Sequence, residues 1–401
     1  MKIIHGPNIM KAIKLGGLCS FSYLTVYVAR NILSVVAPQM EETGLFSIAH
    51  IGAMSTVFML AYAFGQLING FMGDKIIARW MSCIGLAGAG LCNFLIPFTT
   101  RSVLVVVIYG INAFFLSMIY GPMSKIVSEN VIPIYTSRCT LGFAIASALA
   151  SPIVGFLAMF FRWYAMFYLA GIVLIAMSII CFLCFLRFEK RGEVRYHQYD
   201  THNSLLSDIK NLMKHDLPKY MGVTMLDGIV RTAVLFWIPT YLRQYLGFGE
   251  AQALTVYTVI TLCISAASYI SNLGVYELLM KRNLNATLLL MFCISASSFL
   301  LMFFCKNPLL NVLFLILAMM SDYGASNMLW SVYCPSLRDT GMVSSATGFL
   351  DFLSYMAAAI ANLLFANAVE VIGWGTLILV WAALMGIGVV ISLPRKRTAK
   401  A

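Results

Sequence analysis

The chain has 401 residues, of which 61% are hydrophobic and only 11% charged, with a formal net charge of +11. A soluble domain carries about 25% charged residues, so this composition excludes one and makes lipid the main solvent of the chain. The basic excess does not point to nucleic acid, because no polar domain exists to present a basic face.

In chain order, apolar blocks fall near residues 14–38, 48–73, 80–98, 103–124, 136–160 and 163–187. After a polar stretch they resume at 217–245, 250–279, 285–304, 308–333, 340–369 and 372–393. Each is near or above the roughly 20 residues that a helix needs to cross a bilayer. The expectation is an all-α membrane protein with twelve transmembrane helices in two six-helix halves. Residues 1–187 form the first bundle, 188–216 a cytoplasmic linker, and 217–401 the second bundle.

Basic residues give the orientation. With the N-terminus inside, 21 of the 27 lysines and arginines lie on the cytoplasmic side, and Arg101, Arg162, Arg243 and Lys306 on the other. The expected protein is therefore a multi-pass cell-membrane protein with both termini cytoplasmic. In the linker, SLLSDIKNLMKH spaces Leu205, Leu206, Ile209, Leu212 and Met213 as on an amphipathic helix lying on the membrane surface. A plain tether between bundles explains the same stretch.

Ten cysteines are scattered, and the one close pair, Cys181 and Cys184, sits deep in the sixth apolar block without an acid or histidine nearby in sequence. Two small core residues are the simpler reading, so no metal, cofactor or disulfide framework is expected. The five histidines lie near ends or loops.

Two basic residues remain, Arg30 in LTVYVARNILSVVAP and Arg231 in GIVRTAVLFWIPTYL. Each precedes a proline, Pro38 or Pro239, by the same interval, which suggests an internal duplication. A guanidinium in mid-membrane costs roughly 2.5–3.5 kcal/mol on insertion scales, so both are functional candidates. One cation from each half, facing a shared central site, would hold an anion.

These segments, together with the loop NGFMGDKIIAR, GPMSKIVSE in the fourth block and ATGFLDFLSYMAAAIAN in the eleventh, resemble the organophosphate:phosphate antiporter family of the major facilitator superfamily. The resemblance covers essentially the whole chain. It implies the major facilitator fold, a monomer, and a site in which Arg30 and Arg231 bind the substrate phosphate while Tyr23, Tyr27, Tyr62, Tyr323 and Tyr355 line the cavity. Planar donor forks suit phosphate oxygens, and phenols add neutral hydrogen bonds. Each tyrosine taken alone is equally well a helix-packing residue.

The chain departs from the family's glycerol-phosphate carriers at three positions. Asn31 and Gln66 stand where those have lysines, and Ser147 where they have a histidine. Acids have been gained: Asp227, Asp322 and Asp351 all fall inside apolar blocks. Asp227 lies four residues before Arg231, so both share one helical face and pair when no anion is bound.

Two coupling modes follow. In one, only the loaded carrier crosses, giving exchange against inorganic phosphate. In the other, a membrane-embedded carboxylate such as Asp351 or Asp322 carries a proton with the anion, since an apolar surround disfavours its charge. Alternatively the acids pair with Arg231 and Lys125 for structure alone. In the loop after the second block, Gly70, Asp74, Lys75 and Arg79 read as a gate: Asp74 caps or pairs across the cytoplasmic end of a helix, and the two bases anchor the loop inside.

The function expected is secondary transport of a small organic anion, with a phosphate ester favoured, and no enzyme activity. The alternatives are a carrier of a carboxylate or sulfonate by proton symport, which the loss of two lysines favours, and a membrane sensor of sugar phosphates.

Overall fold

In the computed structural model, residues 6–46, 48–99, 101–196, 210, 213 and 216–393 are described. The amphipathic helix expected in the linker lies outside them except for Lys210 and Met213. Every regular element among the described residues is helical. In hydrocarbon each backbone N–H and C=O must be satisfied within its own segment, and a helix does this without partners.

The helices are α1 Gly6–Glu42, α2 Ile48–Lys75, α3 Ala78–Leu95, α4 Ser102–Leu116, α5 Tyr120–Asn130, α6 Pro133–Ala158 and α7 Trp163–Lys190. They continue with α8 Leu217–Asp227, α9 Ala233–Gln244, α10 Glu250–Tyr269, α11 Leu284–Phe304, α12 Pro308–Met328 and α13 Val343–Ser392. Gly373, at φ +71°, interrupts α13 with a backbone conformation that side chains with a Cβ rarely adopt. Asn283 and Asn307 cap α11 and α12 through their side-chain oxygens.

Among the described residues, ten helical stretches are long and apolar enough to cross a membrane, and the pair Thr255–Ala267 and Ile270–Leu279, bent by 41°, makes an eleventh if it is one span. The one remaining expected span, 217–245, seventh in chain order, is divided by a π-helical turn, Gly228–Thr232, into pieces of 11 and 12 residues. The fourth block runs on to Asn130, past the expected end at 124, because Lys125 is satisfied inside the protein by Asp74 and Glu129.

The described chain divides into two compact units. The first comprises Met1–Leu212 with Tyr333–Phe352; there α1 packs on α6 and α7, α3 on α7, and α2 on α4. The second comprises Met213–Val332 with Leu353–Ala401, where α12 packs on α10 and α11. The strip Tyr333–Phe352 thus belongs with the first unit although it follows the second in sequence.

Candidate functional site

In the first unit, α1 carries Tyr23, Tyr27 and Arg30 at intervals of one helical turn. The Arg30 guanidinium carbon lies 4.7 Å from the Tyr62 ring centre, 5.3 Å from Tyr27 and 6.0 Å from Phe58. Phe58 stacks on Tyr62, and Tyr109 packs against Phe58 at 5.0 Å. A cation over an aromatic face gains about 0.5–1 kcal/mol when exposed and about 2 when desolvated. The cage therefore lowers the cost of a half-buried guanidinium. Beside it, Tyr23 donates to the Tyr27 hydroxyl at 3.4 Å and packs on Tyr120 and Phe143. Asp351 is an electrostatic neighbour of Tyr23, Tyr120 and Cys334, which places it on this side of the molecule.

The three positions expected to depart from the family's pattern hold uncharged side chains. Asn31 is half-buried next to Arg30, and Ser147 donates its hydroxyl to Ala144 of its own helix at 2.8 Å. Gln66 is 1% exposed, and its side-chain nitrogen has no hydrogen-bond partner.

The loop after α2 forms a second polar cluster in this unit. Both oxygens of the buried Asp74 accept backbone N–H groups at the start of α13, from Ser344 at 3.0 Å and Ser345 at 2.7 Å. A carboxylate at a helix N-terminus satisfies orphan donors and opposes the positive end of the helix dipole. Lys125 from α5 donates to the Asp74 carbonyl at 2.8 Å, stands 3.6 Å from its carboxylate and 4.0 Å from Glu129. Glycines permit the approach: a Cβ on Gly70 would meet Gly348 Cα at 2.8 Å, and one on Gly348 would meet the Gln66 carbonyl at 2.1 Å. Arg79 pairs with Glu189 and lies over Trp80 and Phe182, whereas Lys75 is exposed.

In the second unit, the π-helical turn presents Arg231 one turn from Asp227, with Nε 3.4 Å from Oδ2. Asp227 is fully buried, and neither of its oxygens has a hydrogen-bond partner; Arg231 keeps 29% of its side chain exposed. The Tyr323 ring lies 5.6 Å from the Arg231 guanidinium. Asp322, one residue earlier, is fully buried, has no hydrogen-bond partner at either oxygen, and interacts electrostatically with Asp227 and Arg231. Gly228 brings this turn against α13: a Cβ there would meet the Ser354 carbonyl at 2.3 Å. Tyr355 is half-buried on α13. Single-turn π elements frequently mark functional positions, and this one carries the cation.

Sequence reasoning missed Phe58, Tyr109, Tyr120 and Phe143. Phe58 is legible in retrospect, one turn before Tyr62 on the same face of α2. The others come from helices distant in sequence and leave no local signal. Cys181, read as a core residue, is buried with its sulfur 2.9 Å from the Ser22 hydroxyl.

An all-helical fold with ten or eleven membrane-length apolar spans among the described residues defines a multi-pass membrane protein. The chain belongs to the Major Facilitator Superfamily, whose family model matches residues 19–362. It is 23% identical to the membrane sensor protein UhpC of Escherichia coli over 93% of this chain and 89% of that one. It is 25% identical to the glycerol-3-phosphate transporter of Bacillus subtilis over 58% of this chain and 57% of that one. Among solved structures, the E. coli fucose:proton symporter FucP matches the fold with a TM-score of 0.76 at 13% identity, covering 95% of this chain and 98% of that one.

Proposed function

We propose that this protein carries a small organic anion, a phosphate ester before other classes, across the cell membrane by alternating access. The observation that carries this reading is the state of the two arginines. Arg30 lies over the rings of Tyr62 and Tyr27, while Arg231 has a buried carboxylate for a partner and an exposed portion of side chain through which an incoming anion reaches it. Phosphate oxygens match planar guanidinium forks, and the glycerol-3-phosphate transporter named among the relatives supports that ligand class. Tyr23, Tyr27, Tyr62, Tyr323 and Tyr355 add hydroxyl donors around the arginines, and the Gly70–Arg79 loop with Lys125 gates access. The distribution of basic residues supports cytoplasmic termini and a linker over 188–216 between two six-helix halves. The family resemblance supports a monomer.

The test is exchange of labelled phosphate in proteoliposomes loaded with inorganic phosphate, challenged with unlabelled phosphate esters, carboxylates and sulfonates. Exchange takes place whether coupling is to counter-flowing phosphate or to a proton, so it reports ligand class alone. Inhibition by esters supports the proposal; inhibition only by carboxylates or sulfonates reassigns the ligand. Similarity to UhpC over nearly the whole chain favours a second reading, a membrane sensor of the same ligand class. Binding of phosphate esters by the purified protein without exchange would select it.

A further inference from the structure

We infer that the junction of α2, α5 and the start of α13 is a balanced latch. The Asp74 clasp holds the strip Tyr333–Phe352 against the first unit, while unsatisfied polar groups in the same seam push it off. For its effect on transport the inference rests on the reading of the Gly70–Arg79 loop as a gate. All of its parts lie in the first unit.

The holding side is the pair of amides, Ser344 and Ser345, on the Asp74 carboxylate at 3.0 and 2.7 Å. On the opposing side stand polar groups that the same contact seals. The Ser344 hydroxyl is fully buried, and no described residue bonds it. A Cβ on Gly73 of α2 or on Gly121 of α5 would collide with that oxygen, so it is wedged where the strip meets both helices. Ser124, one turn beyond Gly121 on the same face of α5, is also fully buried with its hydroxyl unbonded. The third group is Gln66, whose backbone carbonyl abuts Gly348 and whose side-chain nitrogen is buried without an acceptor among the described residues.

Hydroxyls inside helices avoid this state by bonding back to a carbonyl about one turn earlier. Thr347 does so with Val343 at 2.7 Å, and Ser128 with Lys125 at 2.7 Å. Ser344 is the second residue of α13 and has no turn of that helix before it; Ser124 has one in α5 and still stays unbonded. Once the strip leaves, water reaches all three groups, so their cost belongs to the closed arrangement alone. A buried group deprived of its hydrogen bond shifts an equilibrium by about five- to 150-fold. Even at the low end the three multiply to about a hundredfold, the order of the Asp74 clasp. Clasp and close glycine contacts alone would shut the seam and keep it shut; the sealed polar groups make closure reversible.

Removing one of these groups should therefore tighten the latch. Hydrogen–deuterium exchange of the peptide Val343–Phe352, in the full chain in nanodiscs, should slow about tenfold in Ser344→Ala and in Ser124→Ala, whereas Asp74→Ala accelerates it. The double variant Asp74→Ala with Ser344→Ala should fall between its two singles. Alanine's better helix propensity explains about two- to threefold inside the peptide and nothing outside it, so Ser124→Ala is the cleaner reading. Amide exchange unchanged or faster in Ser124→Ala, or slowed by no more than about threefold in Ser344→Ala, would overturn the proposal, because the hydroxyls are then satisfied in the closed seam, by buried water or otherwise. If an alanine variant fails to fold, Gln66→Met, of similar length and helix propensity, supplies the same test. Phosphate exchange in proteoliposomes then tests the gate, and it should slow in whichever variant tightens the strip. A tightened strip with phosphate exchange at the wild-type rate would overturn the latch's role in access while leaving its balance in the fold. Loss of phosphate exchange from the wild type itself would strike the transport reading, and amide exchange would still decide the latch.

Discussion

Asp74→Ala should release the beginning of α13 from the first unit. The substitution removes two acceptors for buried backbone donors, at 3.0 Å from Ser344 and 2.7 Å from Ser345. A hydrogen bond to a charged group contributes about 1.5–3 kcal/mol, so the two bonds together are worth roughly 3–6. Two terms temper the loss. Lys125 keeps its bond to the residue 74 carbonyl and its neighbour Glu129, so the lysine is not stranded. The freed N–H groups also regain water once the strip opens. A net cost near 3 kcal/mol raises the population of the open strip about 150-fold. Asp74→Asn keeps one acceptor for one of the two donors and should cost about half as much, roughly tenfold in opening. Hydrogen–deuterium exchange of the peptide Val343–Phe352 in detergent or nanodiscs reads this directly, with peptides of α11 as the internal reference. Equal protection of that peptide in wild type and Asp74→Ala would refute the capping argument, because no other contact named here satisfies those amides.

Arg231→Lys should lower phosphate exchange about ten- to a hundredfold at unchanged expression, the loss expected for a planar fork reduced to a point charge; near wild-type exchange would exclude bidentate recognition. Gly348→Ala places a Cβ 2.1 Å from the Gln66 carbonyl and 2.6 Å from Gly70 Cα, so it should lower the thermal midpoint through about 1–3 kcal/mol of overpacking. Gly17→Ala, with nothing within 4 Å, is the control and should hold or raise the midpoint. Tyr196 donates to Glu189 at 2.7 Å, and burial followed by that bond raises its phenol above the ordinary value. A raised folded value means that its contribution is complete below the ordinary phenol value of 10.0 and is lost only as pH rises through the folded value. Tyr196→Phe should therefore lose a constant amount, about 1 kcal/mol, from neutral pH up to about 10. A stability difference from wild type that closes within that range would contradict the assignment.

Much of this molecule is written locally. Long apolar blocks become helices because lipid offers the backbone no other partner, and the positions of Arg30 and Arg231 stand out because a charge in such a block is costly. The Asp227–Arg231 pair was legible from an interval of four on one helical face, and the observed 3.4 Å contact realises it. Where the local pattern is indifferent, it misled: nothing in the block 217–245 announces a π turn, since hydropathy does not register one extra residue per turn.

Tertiary structure decided the surroundings of each charge. The Asp74 carboxylate closes on amides 270 and 271 residues further along the chain, Phe58 and Tyr62 of α2 close over Arg30 of α1, and Asp322 joins Asp227 and Arg231 from another helix. Periodicity and propensity act over a few residues, so they establish which segments are helical and which carry charge. Whether a buried charge meets a ring, a counter-ion, a backbone amide or a second acid depends on which helices become neighbours, and only packing determines that.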